Sequence, residues 1–266
     1  MHEQFVERDG VSLYVRVDGA TDADSPTIVF ANSLGTDTSL WDLVVPLLPT
    51  ELRIIRYDKR GHGRSSVPAS PYSMGALIAD AEAVCDALSV RDSVFVGLSV
   101  GGMIAQGLAA KRLDLMRAVV LSNTGAKIGT KQLWDDRIAT VLSKGLEPLA
   151  DSVMPRWFGR DFLNTPAMEP WKALFLSTPP QGYAGVCAAI AGTDFFATTA
   201  TLRLPALGIA GSEDGATPPD LVRETIDLIP GSRFALIPRA GHLPCVEAPE
   251  AYARHLINFL QEIGHV

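Results

Sequence analysis

The sequence lacks the features of several protein classes. Its 266 residues include three cysteines, Cys85, Cys187 and Cys245, which are far apart and odd in number. This number and spacing predict neither a disulfide framework nor a metal-binding knuckle, which is typical of proteins in a reducing compartment. No apolar run approaches the roughly 20 residues that a membrane-spanning helix needs. Residues 1–10 lack the apolar stretch that forms the core of a signal peptide. We therefore expect a cytoplasmic protein that does not contact a membrane.

Positive charge is also scarce. The chain has 23 Lys and Arg against 30 Asp and Glu, which gives a formal net charge of −7. Nucleic-acid-binding domains present a basic face, so no nucleic-acid partner is expected. No cluster of His, Asp and Glu has the spacing of metal ligands, and the Gly-rich turn lacks the lysine of a phosphate-binding loop. These patterns predict no metal site and no phosphate-binding loop.

Short apolar runs alternate with amphipathic stretches, which is typical of parallel βαβ units. The predicted strands are Val11–Val17, Thr27–Ala31, Arg53–Tyr57, Ser93–Leu98, Ala118–Ser122, Ala206–Ala210 and Phe234–Ile237. The predicted helices are Leu40–Leu48, Met74–Leu88, Val100–Lys111, Pro219–Leu228 and Pro249–Glu262. This pattern predicts an α/β fold with a mostly parallel sheet flanked by helices.

The alternation stops near Gly125 and resumes near Leu204. The segment between them contains Trp134, Trp157 and Trp171, three of the four tryptophans, and no legible parallel strand. Structureless loops of this length are rare in compact domains. We predict a helical cap over residues 125–202 that lies at the C-terminal edge of the sheet, where open α/β sheets bind ligands. Residues 1–124 and 203–266 would form the core.

The strongest local motif is GLSVGG at residues 97–102. It follows the apolar run at 93–96 and precedes a helical pattern, so it has the strand–turn–helix context of a nucleophile elbow. In that turn the serine adopts a strained backbone conformation and close packing requires glycine nearby. The motif predicts Ser99 as a catalytic nucleophile. The alternative is a simple tight turn.

A serine hydroxyl needs a base to become a good nucleophile. Of the five histidines, His62 and His242 each follow a predicted strand. In hydrolases built on this elbow the triad order along the chain is serine, acid, histidine, which favours His242 as the base. His62 is the alternative base, with His242 then structural.

The acid must fall between the serine and the base, at the end of a strand. Asp214 follows the strand at 206–210 and is the preferred candidate; its neighbour Glu213 is the alternative, because adjacent side chains usually point apart. Asn123, after the preceding strand, cannot carry the charge. The oxyanion hole should use the N–H of Val100 and a second N–H from residues 32–36. Cys245, close to His242, is expected to be a buried packing residue.

Three segments together resemble the α/β-hydrolase superfamily: GLSVGG at 97–102, YDKRGHGRS at 57–65 and AGHLP at 240–244. Within it, NSLGT at 32–36, where most members have His-Gly, and QLWDDR at 132–137 resemble the 3-oxoadipate enol-lactonases of bacterial aromatic-acid degradation. The resemblance implies an α/β-hydrolase fold with a helical cap and a cofactor-free serine hydrolase. It also implies that the N–H of Leu34 completes the oxyanion hole.

The implied small-molecule substrate is a five-membered enol-lactone that carries a carboxylate. We hypothesise that Arg137 binds this carboxylate and that Trp134 forms an apolar wall; the alternative is a surface arginine and a core tryptophan. Two other functions stay open, a general carboxylesterase or perhydrolase with the same triad and a non-catalytic ligand-binding protein of this fold. The sequence predicts no oligomeric state.

Overall fold

A computed structural model describes residues 2–266, which contain one eight-stranded sheet. The strands are β1 (His2–Arg8), β2 (Val11–Gly19), β3 (Thr27–Ala31), β4 (Arg53–Tyr57), β5 (Ser93–Leu98), β6 (Met116–Ser122), β7 (Ala206–Gly211) and β8 (Arg233–Ile237). Their order across the sheet is β1-β2-β4-β3-β5-β6-β7-β8. β1 pairs antiparallel with β2, and β2 pairs antiparallel with β4, whereas β3 to β8 run parallel to one another.

Eleven α-helices accompany the sheet in the described part of the chain. They are α1 (Met74–Ala87), α2 (Val100–Lys111), α3 (Lys131–Lys144), α4 (Glu147–Trp157), α5 (Arg160–Leu163), α6 (Glu169–Ser177), α7 (Pro180–Ala191), α8 (Phe196–Thr199), α9 (Pro219–Ile226), α10 (Pro244–Glu247) and α11 (Pro249–Glu262). Helix α2 packs on β5 and β6, α9 on β7, and α11 on β8. The central strands β3, β4 and β5 are buried along their whole length, because helices cover both faces of a parallel sheet.

All seven predicted strands are present, and the predicted α/β fold class is confirmed. Strand β1 was not predicted, because Val6 is its only buried residue and it forms the exposed edge of the sheet. The predicted helix Leu40–Leu48 is wrong. That segment forms two 3₁₀ turns, Thr38–Trp41 and Val45–Leu47. The ring of Pro46 removes a backbone N–H and crowds the preceding turn, which disfavours a continuous α-helix through this segment.

The chain between β6 and β7 contains helices α3 to α8 and, among the described residues, no strand. Trp157 and Phe158 at the end of α4, Phe175 in α6 and Tyr183 in α7 pack together. The backbone carbonyl of Trp157 accepts the N–H of His242 at 2.8 Å, which joins these helices to the segment that follows β8. The helices therefore contact the C-terminal ends of the parallel strands.

Candidate active site

Ser99 lies in the tight turn between β5 and α2. Its φ and ψ of 59° and −120° are rarely adopted by a residue with a side chain. The two glycines on either side of Ser99 leave no room for a side chain. A Cβ on Gly97 would lie 2.2 Å from the carbonyl oxygen of Gly101, and a Cβ on Gly101 would lie 2.1 Å from the carbonyl oxygen of Ala31. The glycines of the motif therefore permit the turn, and Ser99 reaches the pocket at the end of the sheet.

The ring of His242 follows β8 and is held by a carboxylate that follows β7. Nδ1 of His242 lies 2.9 Å from Oδ2 of Asp214. Oδ2 also accepts hydrogen bonds from Nδ2 of Asn123 at 2.8 Å and from the Thr217 hydroxyl at 2.7 Å. Oδ1 accepts the backbone N–H groups of Ala216 and Thr217. Five polar contacts therefore fix the carboxylate against the imidazole.

Electrostatics keeps Asp214 ionised although it is buried. Burial opposes the charged form, but the adjacent His242 and the hydrogen bonds from Asn123 and Thr217 outweigh it and hold the pKa of Asp214 below its ordinary value. Asn123 thus supports the carboxylate instead of replacing it. An ionised partner on Nδ1 leaves Nε2 of His242 as the nitrogen that faces the pocket.

The two alternatives for the triad lie elsewhere. Glu213 turns away from His242, and its carboxylate accepts the backbone N–H and Nε of Arg160, both at 2.8 Å. His62 is fully buried outside the pocket, and its Nε2 accepts the backbone N–H of Gly35 at 3.0 Å. Burial, together with the neighbouring charge of Lys59, holds the pKa of His62 well below its usual value. His62 is therefore a neutral support of the loop at residues 32–36.

The backbone N–H groups of Leu34 and Val100 are the candidates for an oxyanion hole near Ser99. Leu34 lines the pocket, and its N–H has no acceptor among residues 2–266. Val100 is the first residue of α2, where a helix has no internal acceptor for the N–H group. These are the two donors that the sequence and the resemblance assign to an oxyanion hole.

The helical segment between β6 and β7 contributes two arginines to the pocket. Arg137, on α3, donates to the Tyr183 hydroxyl at 3.3 Å, and its guanidinium lies 5.2 Å from the ring centre of Trp134. Arg156, on α4, uses Nε to bind the carbonyl of Gly215 at 3.0 Å. Within residues 2–266 neither guanidinium forms an ion pair with a carboxylate. The pocket therefore offers two positive groups to a ligand.

Sequence reasoning missed Arg156, Ser33 and Thr217, all of which line the pocket. Arg156 could have been suspected only as one of several basic residues of the insertion. Thr217 lies three residues after Asp214, at the spacing of a local side-chain hydrogen bond, which is a readable signal. The hydroxyl of Ser33 contacts His242, which is distant in sequence, and no local pattern predicts that contact.

The remaining candidates of the sequence do not contribute to the pocket. Cys245 is fully buried in α10, and burial raises the pKa of its thiol far above the usual range, so it is not a thiolate nucleophile. Across residues 2–266 no three His, Cys, Asp or Glu side chains are grouped as metal ligands. In the same part of the chain, no helix has the length and apolar character to cross a bilayer.

Comparison with known proteins identifies the family. Residues 28–255 match the model of the alpha/beta hydrolase family. The chain is 34% identical over 232 residues to 3-oxoadipate enol-lactonase 2 of Acinetobacter baylyi, which covers 86% of each protein. The structure of a hydrolase from Pseudomonas aeruginosa superposes with a TM-score of 0.92 at 37% identity, covering 97% of this chain and 98% of that one.

A second solved structure, the enol-lactonase from Burkholderia xenovorans, superposes with a TM-score of 0.91 at 35% identity and covers 97% of this chain and all of that one (100%). The family match spans most of the chain, and these relatives exceed 30% identity over nearly their whole length. The chain therefore belongs to the alpha/beta hydrolase family, and it is an enzyme of the carboxylic ester hydrolase class.

Proposed function

We propose that this hydrolase opens 3-oxoadipate enol-lactone to 3-oxoadipate through an acyl-enzyme on Ser99. The observation that carries the proposal is one pocket lined by Ser99, by His242, which Asp214 holds through Nδ1, and by two arginines that have no carboxylate partner among residues 2–266. The name of the 34% identical relative from Acinetobacter baylyi supports the choice of substrate. The proposal includes a role in cytoplasmic aromatic-acid degradation, as implied by the same resemblance.

In the first step the Ser99 hydroxyl attacks the lactone carbonyl carbon, and Nε2 of His242 takes its proton. Asp214 stabilises the imidazolium through Nδ1. The N–H groups of Leu34 and Val100 donate to the carbonyl oxygen as it becomes negative, and each such donor contributes about 3 kcal/mol to transition-state stabilisation. The charge therefore develops where donors are already in place.

Collapse of the tetrahedral intermediate breaks the ring C–O bond. The leaving oxygen takes the proton from His242 and becomes an enol, which is a better leaving group than an alkoxide. Its tautomerisation to the ketone makes the opening effectively irreversible. A water molecule then gives a proton to His242 and attacks the acyl carbon, and Ser99 leaves with that proton restored. The reaction consumes one water and uses no cofactor.

The two arginines would favour a substrate that carries a carboxylate. A guanidinium that lacks a carboxylate partner and lines an apolar pocket attracts a carboxylate. Two N–H groups of the planar guanidinium can bind both carboxylate oxygens. Arg137 stands beside the ring of Trp134, which supplies an apolar surface for the lactone ring. Arg156 adds a second charge from α4. A neutral ester would gain nothing from either group.

A general carboxylesterase or perhydrolase is the second candidate function. It is favoured by the apolar part of the lining, which includes Ile128, Leu133 and Val153 and would accept a neutral acyl chain. The non-catalytic ligand-binding alternative has no such support, because all three triad positions are occupied by competent residues.

The test is a comparison of initial rates on 3-oxoadipate enol-lactone and on 4-nitrophenyl acetate, with Ser99→Ala as the control. We expect kcat/KM on the lactone to exceed that on the ester by orders of magnitude and to be lost in Ser99→Ala. Rapid ester turnover with feeble lactone opening would instead identify a general esterase. A wild-type protein that neither turns over either compound nor reacts with a fluorophosphonate would be a ligand-binding protein.

A further inference from the structure

The peptide unit that joins Ser33 to Leu34 has its two polar groups in different environments. Its carbonyl oxygen accepts Nζ of Lys59 at 2.7 Å, the Thr36 hydroxyl at 2.9 Å and the Thr36 N–H at 3.4 Å. Its N–H is that of Leu34, a residue that lines the pocket, and it has no acceptor in residues 2–266. The C=O and N–H of a trans peptide point in opposite directions. Fixing the oxygen therefore fixes the direction of the N–H.

Lys59 is an unusual residue for this position. It follows β4 and is only 2% exposed. Its ammonium group donates to the carbonyls of Ser33 and Thr36 and makes no ion pair with a carboxylate of residues 2–266. Burial lowers the pKa of Lys59 to about 7, against the opposing charges of Asp58 and Asp37. A buried cation on neutral partners costs stability that an apolar side chain would not cost.

Neutral groups already hold the rest of this loop. The side chain of Asn32 donates to the carbonyl of Tyr57 at 2.9 Å and accepts the indole N–H of Trp41 at 2.7 Å. At the other end His62 accepts the N–H of Gly35. The ammonium group of Lys59 acts on the carbonyls of Ser33 and Thr36, and its removal should leave the anchors at Asn32 and Gly35 in place.

We propose that Lys59 is a positioning residue of the oxyanion hole, which holds the Ser33–Leu34 peptide with the Leu34 N–H directed at the substrate carbonyl oxygen. The inference rests on the proposed function. An ammonium group on the carbonyl also polarises the peptide, because hydrogen bonds in a chain strengthen one another. The Leu34 N–H thereby becomes a stronger donor. Its effect is largest when the substrate oxygen is negative, in the transition state.

The experiment compares wild type, Lys59→Met and Lys59→Gln on the lactone. Methionine has similar length but no donor, and glutamine keeps one neutral donor. We expect kcat to fall about a hundredfold in Lys59→Met with KM within about twofold, as for loss of one oxyanion donor, and to fall less in Lys59→Gln. Binding of phenylboronic acid, which forms a tetrahedral adduct with a nucleophilic serine, should weaken in parallel with kcat.

Arg53→Met is the matched control. Arg53 is another buried cation, at the start of strand β4, which Lys59 follows, and its Nε and Nη1 have no hydrogen-bond partner within residues 2–266. Its replacement should leave kcat and boronate binding unchanged, which separates a general effect of removing a buried charge from an effect on the oxyanion hole. If kcat of Arg53→Met falls as much as kcat of Lys59→Met, with KM unchanged, the inference is overturned.

Wild-type kcat and boronate affinity in Lys59→Met would also overturn it. If Lys59→Met does not fold, Lys59→Gln decides, because full kcat in that variant shows that the charge is unnecessary. The proposed function fails separately: it fails if Ser99→Ala keeps its activity. An inactive Ser99→Ala beside a fully active Lys59→Met contradicts only the role of Lys59.

Discussion

The hydroxyl of Ser33 lies 3.4 Å from Nε2 of His242, across 209 residues of sequence. Ser33 follows β3 and His242 follows β8, so the contact joins the oxyanion loop to the catalytic base proposed here. The nitrogen that takes the proton of Ser99 in the proposed mechanism therefore already has a hydrogen-bond partner, which restricts the orientation of the ring.

Replacing Ser33 with alanine tests that contact. The hydrogen bond contributes about 1 kcal/mol to the orientation of His242, so we expect kcat of Ser33→Ala to fall about fivefold with little change in KM. Steady-state kinetics on the lactone measures both values. The backbone contacts of Ser33 remain in this variant. A raised KM at constant kcat would place the hydroxyl in substrate binding instead.

Replacing Asp214 with asparagine should nearly abolish activity. The amide keeps the shape of the carboxylate but cannot stabilise the imidazolium, and it favours the wrong tautomer of His242. We expect kcat to fall by about 10⁴, the size of this effect in serine proteases with the same triad. Glu213→Gln is the control, since Glu213 contacts Arg160 and not His242. Comparable losses in both variants would contradict the assignment of the acid.

Replacing Arg156 or Arg137 with glutamine should affect the acid and spare the neutral ester. Loss of one charge-assisted hydrogen bond to the substrate carboxylate should raise KM for the lactone about tenfold. The KM for 4-nitrophenyl acetate should stay constant. Arg160→Gln serves as the control, because Arg160 pairs with Glu213 on the surface. Equal effects on lactone and ester would show that the arginines only shape the pocket.

His62 makes the stability of the fold depend on pH. Its folded pKa lies well below the ordinary 6.5, because burial and the charge of Lys59 disfavour the protonated ring. The unfolded chain therefore binds a proton below pH 6.5 that the folded protein does not. The contribution to stability is complete above pH 6.5 and declines as pH falls towards the folded pKa, by up to about 1.4 kcal/mol per pH unit.

Urea unfolding at pH 7.5 and pH 5.5 measures this contribution. The free energy of unfolding should decrease more in wild type than in His62→Gln, by about 1 kcal/mol over this range. The glutamine side chain carries no titrating group and can still accept the N–H of Gly35. Equal decreases in the two proteins would show that His62 titrates normally in the folded state.

Local patterns were sufficient for much of this protein. The central strands are continuous apolar runs because both of their faces are covered, and such runs are legible in one dimension. Ser99 could be predicted because its strained turn demands glycines at fixed spacing. His242 and Asp214 could be ranked because each follows a strand and parallel strands end at one edge of the sheet. The structure places these two side chains in direct contact.

Other features depended on distant parts of the chain. β1 is an edge strand whose pairing with β2, not its own composition, makes it a strand. The segment 40–48 carries apolar residues at helical spacing, but Pro46 and the contacts of Trp41 hold it in 3₁₀ turns. Hydrophobic periodicity predicts neither strand β1 nor these 3₁₀ turns.

The sequence by itself determined the fold class, seven of the eight strands and the residue types available for catalysis, since these follow from periodicity and from motifs of short span. Only the tertiary structure decided which arginines line the pocket, that the Ser33 hydroxyl contacts His242 and that Lys59 binds the Ser33 carbonyl. The reason is physical: such contacts join residues from separate elements, and their distances are set by the packing of helices on the sheet and by no local rule.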